Sequence, residues 1–190
     1  MGSEMCIRDR ILEGKVGRLS EDLLSLSVEF AAEMLLLGGC FDKKQAAVTA
    51  IKNKLESREA LRTFKRLVQL QKGDVSYIDD TSKFPIAEHT IEVKAKETGF
   101  VEKVDALRVG RSAVLIGAGR LTMDRSVDHA AGIAVMKKTG DTIESGDIVF
   151  RVFYNECSDI NAVISMLDSS LKISKSQIKK PDLILDVVES

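Results

Sequence analysis

"KKTGDTIESGDIV", Lys137 to Val149, carries two Gly-Asp pairs, Gly140-Asp141 and Gly146-Asp147. Glycine takes positive φ without steric cost, so each pair reads as a tight turn. Ile143 and Val149 stand at matching offsets after the two pairs. The stretch therefore predicts short strands joined by glycine turns, with these apolar residues facing the interior of a small barrel.

The flanking sequence extends this reading. "HTIEVKAK" (89–96) alternates, with Ile91, Val93 and Ala95 on one face. "GFVEKV" (99–104) follows a glycine, "SAVLIGAG" (112–119) is a continuous apolar run, and "AAGIAVMKK" leads into the first turn. All four read as strands of a compact, mainly antiparallel β domain. Its expected core is Val101, Val104, Val114, Leu115, Ile116, Ile133, Val135, Ile143, Val149 and Val152. From Ser158 to about Leu171 a helical period returns through Ile160, Val163, Ile164 and Leu167, and the tail after Lys172 is weakly patterned.

Before residue 73 the texture is helical. "SEDLLSLSVEFAAEMLLLGG" opens on Ser20 as an N-cap with Glu21 and Asp22 in the first turn, and Gly38-Gly39 stops it. Leu24, Val28, Ala31 and Leu35 form one stripe, widened by Leu23, Phe30 and Met34. So broad an apolar face implies burial on several sides, more than a solvated bundle provides. Asp42 and Gln45 resemble a capping box for a second helix through about Leu55. A third starts at Ser57, with Ala60, Leu61, Phe64, Leu67 and Val68 on one face and Gly73 as its stop. "KGDVSYIDDTSKFP" is a polar connector ending in Pro85.

Composition narrows the function classes. In 190 residues, 44% are hydrophobic and 30% charged, and 28 Lys and Arg face 29 Asp and Glu, a net charge of −1. No basic field exists to hold nucleic acid or an acidic membrane surface. No apolar run reaches membrane-spanning length and no targeting segment is visible. Cys6, Cys40 and Cys157 are odd in number and far apart, which fits a reducing cytoplasm better than a disulfide framework or a metal site.

Each candidate for chemistry has a plainer competitor. "GAGRLTMDR" (117–125) places glycines beside an arginine, a combination that can cradle phosphate. It follows a predicted strand but lacks the helix a dinucleotide loop needs, so a structural turn is favoured, with Arg120 pairing Asp124 or Asp128. His129 adjoins Asp128, but neighbours in a strand point to opposite faces. His89 has no ligand-spaced partner, and Asp79-Asp80 reads as a solvated pair. Cys40 and Cys157 lack a basic neighbour to activate them. No catalytic, phosphate-binding, other ligand-binding or metal-binding residue is assigned.

The two Gly-Asp turns resemble the hairpin wording of biotinyl and lipoyl carrier domains. A carrier would present its lysine at a separate exposed hairpin. Met136-Lys137 is continuous with the strand entering the Gly140 turn, so the barrel-like fold is adopted and the carrier chemistry set aside. A non-enzymatic binding or carrier module is the alternative function.

Taken in order, "LEG", "EDL…EMLLLGG", "ALRTFKRLVQLQKGD", "GFVEKVDALRVGRSAVLIGAGR", "VDHAAGI" and "KKTGDTIESGD" resemble the C-terminal part of the pyrimidine-nucleoside phosphorylases, the family of thymidine phosphorylase. Gly117, Ala118, Gly119, Arg120, Asp128, Gly132, Lys138, Gly140 and Asp141 are the most specific matches. The resemblance implies an α+β chain: helices from the end of a truncated α/β domain, then a β-rich hammerhead or barrel-sandwich-like domain. It implies a cytoplasmic homodimer that uses inorganic phosphate as co-substrate, with no other cofactor, to cleave pyrimidine nucleosides. The family's phosphate-holding and base-holding segments lie upstream of the matched region, so the chain itself is expected to be an inactive fragment.

The opening "GSEMCIRDR", Gly2 to Arg10, has no apolar stripe and no signal-peptide core. Back-translated, it resembles the mosaic end of a transposase-based sequencing adaptor. The expected organisation is then an adaptor artefact at 1–10, terminal helices at 11–73, a linker at 74–88, the C-terminal domain at 89–172 and a tail at 173–190.

Overall fold

The computed structural model describes residues 5–17, 19–120 and 126–188. The chain divides into two compact units, one of residues 84–182 and one of residues 5–83 with 183–188. It is an α+β chain, as the sequence predicts, with helices first and antiparallel strands after them. No helix among the described residues is long and apolar enough to cross a membrane.

The helical unit contains α1 (Met5–Leu12), α2 (Glu21–Leu37), α3 (Lys44–Glu56), α4 (Glu59–Leu70) and a short α5 (Ser76–Asp79), then a 3-10 turn at Thr81–Lys83. Helix α1 enters a stretch whose sequence shows no helical period. Helix α2 packs on α3, α3 on α4, and α1 on α4. Val28, Ala32, Ala47, Leu61 and Ile78 are buried. Lys44 bonds Glu29 and Glu33 one turn apart on α2, and these carboxylates hold its ammonium above the usual lysine range, Glu29 most strongly.

Helix ends differ in detail from the sequence reading. Ser20 turns its hydroxyl back, donating to the Gly17 carbonyl at 2.9 Å and accepting the Gly17 N–H at 3.1 Å, so it caps no helical N–H. The Asp42–Gln45 box does not form, because Lys43 is the N-cap and Gln45 falls one position early for the reciprocal bond. Ser57 closes α3 rather than opening α4. Helices α1, α2 and α4 end in Schellman geometry, as in Cys40 N–H to Leu35 carbonyl and Gly39 N–H to Leu36 carbonyl, both 2.9 Å. The left-handed residue is Gly14 in α1 and Gly39 in α2. In α4 it is Lys72, at φ 61°, and not Gly73.

The second unit is built on β1 (His89–Lys94), β2 (Gly99–Val104), α6 (Ala106–Leu115), β3 (Gly132–Val135), β4 (Thr142–Ile143), β5 (Ile148–Tyr154), α7 (Ile160–Ser170) and β6 (Leu171–Ser174). One sheet runs β1-β5-β3 and the other β4-β2-β6, all antiparallel. Among the described residues the two sheets stay separate and no barrel closes. Across the first sheet the register aligns Ile91, Val152 and Ile133 in one row and Val93, Phe150 and Val135 in the next. The opposite face pairs Glu92 with Arg151 at 2.9 Å. A bulge opposite Val93–Lys94 adds Val149 to β5, so consecutive Val149 and Phe150 are both buried.

The two Gly-Asp turns are built alike. Asp141 N–H bonds the Lys138 carbonyl at 3.0 Å, and Asp147 N–H bonds the Glu144 carbonyl at 3.0 Å. Each aspartate side chain also accepts the first residue's N–H, from Lys138 at 2.9 Å and from Glu144 at 3.1 Å. Gly140 and Gly146 sit at φ 88° and 94°. Each turn then exchanges two backbone bonds with one buried residue. Val101 bonds Gly140 N–H and the Asp141 carbonyl, and Ala95 bonds Gly146 N–H and the Asp147 carbonyl.

"SAVLIGAG" is not a strand. Asp105 accepts the N–H groups of Leu107 and Arg108 and starts a helix upstream of the run. The helical spacing of Val109, Ser112 and Ile116 then turns these residues inward. The expected helix from Ser158 appears as α7, capped by Asp159, and the tail supplies β6. Of the expected core, Val101, Ile116, Ile143, Val149 and Val152 are buried, and the other five are half-buried. Val93, Ala95, Phe150, Val163 and Leu167 are buried with them in the same cluster.

Two outcomes test this packing. Leu167 is fully buried between α7 and the sheets, so Leu167→Ala should cost about 2–5 kcal/mol in a urea melt. Lys72→Gly relieves a side chain in the left-handed region and should stabilise the helical unit by up to about 1 kcal/mol, read from its far-UV transition.

Candidate functional site

The glycine run at Gly117–Gly119 ends a helix. Gly117 N–H bonds the Val114 carbonyl at 3.1 Å and Ala118 N–H bonds the Ala113 carbonyl at 3.0 Å, with Gly117 at φ 88°, again a Schellman cap. A helix C-terminus carries partial negative charge, so this cap does not attract phosphate. Residues 121–125, and with them the Arg120–Asp124 pairing, lie outside the described residues. Arg120 is exposed, and among the described residues no ion pair joins it to Asp128.

Asp128 is committed to backbone and amide. Its N–H bonds the Gly117 carbonyl at 2.9 Å, one carboxylate oxygen accepts Ala130 N–H at 2.9 Å, and the other accepts the Asn155 amide at 2.8 Å. Asn155 in turn accepts Glu88 N–H at 2.8 Å. His129 is exposed beside this network. His89 stacks at a tilt on Tyr154, ring centroids 5.2 Å apart. The Asp79-Asp80 pair is exposed yet engaged: Asp79 pairs with Lys65, and Asp80 accepts the Ser82 hydroxyl and N–H, which hold its carboxyl below the usual range. Cys40 and Cys157 are free thiols, and among the described residues no group of three His, Cys, Asp or Glu could hold a metal ion.

Lys137 is held in place rather than offered at a tip. Its ammonium donates to Asp147 Oδ2 at 2.7 Å and to the Thr142 carbonyl at 3.0 Å, and its side chain is only 20% exposed. It braces the second Gly-Asp turn against the strand before the first.

A groove of about 450 Å³ runs between α6 and α7, lined by Arg108, Arg111, Ala162, Ser165, Met166 and Ser169. Arg108 donates to the Ser169 carbonyl at 3.0 Å, placing a cation at the carbonyl end of α7. Sequence reading missed Arg108 and Asn155, because their partners are distant in sequence.

An α+β unit of two three-stranded antiparallel sheets with paired Gly-Asp turns defines the structural class. Residues 100–174 match the family model described as the pyrimidine nucleoside phosphorylase C-terminal domain. The chain is 32% identical to the pyrimidine-nucleoside phosphorylase of Geobacillus stearothermophilus over 172 residues, covering 90% of this chain and 40% of the relative. It is 34% identical to that of Bacillus subtilis over 168 residues, 88% of this chain and 38% of the relative. The chain spans about 40% of the length of these relatives.

The Lys137 brace has a titration signature. Its hydrogen bond, with a smaller contribution from Glu144 N–H, holds the Asp147 carboxyl below the usual aspartate range. A depressed carboxyl stabilises the fold above its unfolded value and loses that contribution as pH falls through the folded value. Lys137→Met should raise the Asp147 titration midpoint and move the onset of acid unfolding to higher pH. Carboxyl NMR titration measures the first and a circular-dichroism acid melt the second.

Proposed function

We propose that this chain is the C-terminal portion of a pyrimidine-nucleoside phosphorylase. In the parent, phosphate attacks the anomeric carbon of a pyrimidine nucleoside, releasing free base and pentose 1-phosphate. Inorganic phosphate is the co-substrate, no other cofactor is used, and the parent is a cytoplasmic homodimer acting without nucleic acid or membrane. The family-model match at residues 100–174, inside an alignment reaching nine-tenths of the chain, carries the proposal.

By itself the chain is proposed to be inactive. Phosphorolysis needs several groups fixed around one anomeric carbon, and effective molarity collapses without them. The caps and turns described above support this reading, since they engage Asp105, Asp128, Asp141, Asp147 and Asp159 in structure. Residues 1–10 are proposed to be adaptor-derived.

Two assays with thymidine, uridine and phosphate test the proposal. The chain alone should release no base above a no-protein control, and turnover there would overturn its inactivity. A chimera in which this chain's residues 89–174 replace the matching part of the Bacillus subtilis relative should release base. A folded chimera with no turnover would count against the assignment.

A further inference from the structure

We propose that Asn155 is a latch holding residues 128–130 to the point where the chain enters β1. Asp128 N–H bonds the Gly117 carbonyl at 2.9 Å. One Asn155 amide serves two distant segments.

The Asn155 Nδ2 donates to Asp128 Oδ2 at 2.8 Å and its Oδ1 accepts Glu88 N–H at 2.8 Å. These partners lie 27 and 67 residues away in sequence. Asp128 uses its other oxygen on Ala130 N–H at 2.9 Å, so the chain of bonds runs from Glu88 through Asn155 and Asp128 to Ala130. Asn155 follows the last residue of β5, the strand between β1 and β3. It therefore ties both outer strands' leading segments to the central one. The required chemistry is specific. Asn155 must donate on one side and accept on the other, which an amide does and a carboxylate does not.

Exchange of the two side chains tests this directly in the full chain. Asn155→Asp keeps shape and the acceptor for Glu88 but sets two carboxylates face to face. Asp128→Asn with Asn155→Asp reverses donor and acceptor and restores every bond. Amide hydrogen exchange is read at Glu88, Asp128 and Ala130, with Val152 N–H reporting that the core stays folded. Asn155→Asp should speed exchange at Asp128 and Ala130 by about tenfold, the worth of a charged hydrogen bond, and leave Val152 unchanged. The double variant should return those rates to near wild type. Wild-type exchange in the single variant, or failure of the folded double variant to restore it, overturns the latch. Asn155→Ala should expose all three amides, and protection of Glu88 there overturns it equally.

Discussion

Two buried residues, Ala95 and Val101, hold the second unit together by the same device. Each gives its N–H and its carbonyl to a Gly-Asp turn. A buried peptide group left unpaired costs more than a made hydrogen bond returns, so both positions require a turn at that place and register. Ala95 ends the run from β1, and Val101 lies in β2 of the other sheet. The stretch from 138 to 147 therefore belongs to both sheets at once. Moving either turn by one residue would point Ile143 outward and strip both bonds from one buried residue. The positive φ at Gly140 and Gly146 serves this constraint, since a β-branched residue there would strain the turn that the pairing demands.

That device was legible because it is local. Glycine, aspartate and the apolar offset all fall within "KKTGDTIESGDIV", and nothing distant is needed to read them. Helices α2, α4 and α7 were legible for the same reason, from spacing and stops. "SAVLIGAG" misled because its apolar content is continuous and its helical origin lies upstream, at the Asp105 cap. A short apolar run does not distinguish strand from buried helix by periodicity. Strand β6 was hidden because only pairing with β2 makes Leu171–Ser174 a strand. Closure into a barrel was overread, since local turn wording carries no information about whether outer strands meet. The Asn155 network joins residues 88, 128, 130 and 155, a juxtaposition the fold creates.

Five aspartates of the second unit serve the backbone. Asp105 and Asp159 cap helices, Asp141 and Asp147 close turns, and Asp128 closes the segment before β3. The Arg108 N–H, then the Lys103 charge and the Leu107 N–H, hold the Asp105 carboxyl below the usual range, as the Lys137 ammonium and Glu144 N–H do for Asp147. A general acid or base works best with its pKa near the working pH. Carboxylates pulled in the opposite direction remain ionised and serve the fold, losing that contribution only on acidification.

The helical unit is finished differently. Its buried apolar side chains include Ala32 and Ala47, whereas the other unit buries Phe150, Ile116, Ile143 and Leu167. Burial free energy scales with apolar area, about 25 cal/mol per Å², so the smaller side chains return less per residue ordered. Helix α2 makes the contrast concrete. One side buries Val28 and Ala32, while Leu23, Phe30, Met34 and Leu37 follow a stripe along another side, with Phe30 59% and Leu37 89% exposed. Residues 23, 30 and 37 repeat at heptad spacing, the period of a face built to be covered. An uncovered face of that kind adds no burial to set against the entropy of ordering the helix, and it favours association through apolar contact. The structural order of the chain therefore rests on the unit whose strands and turns close their own hydrogen bonds.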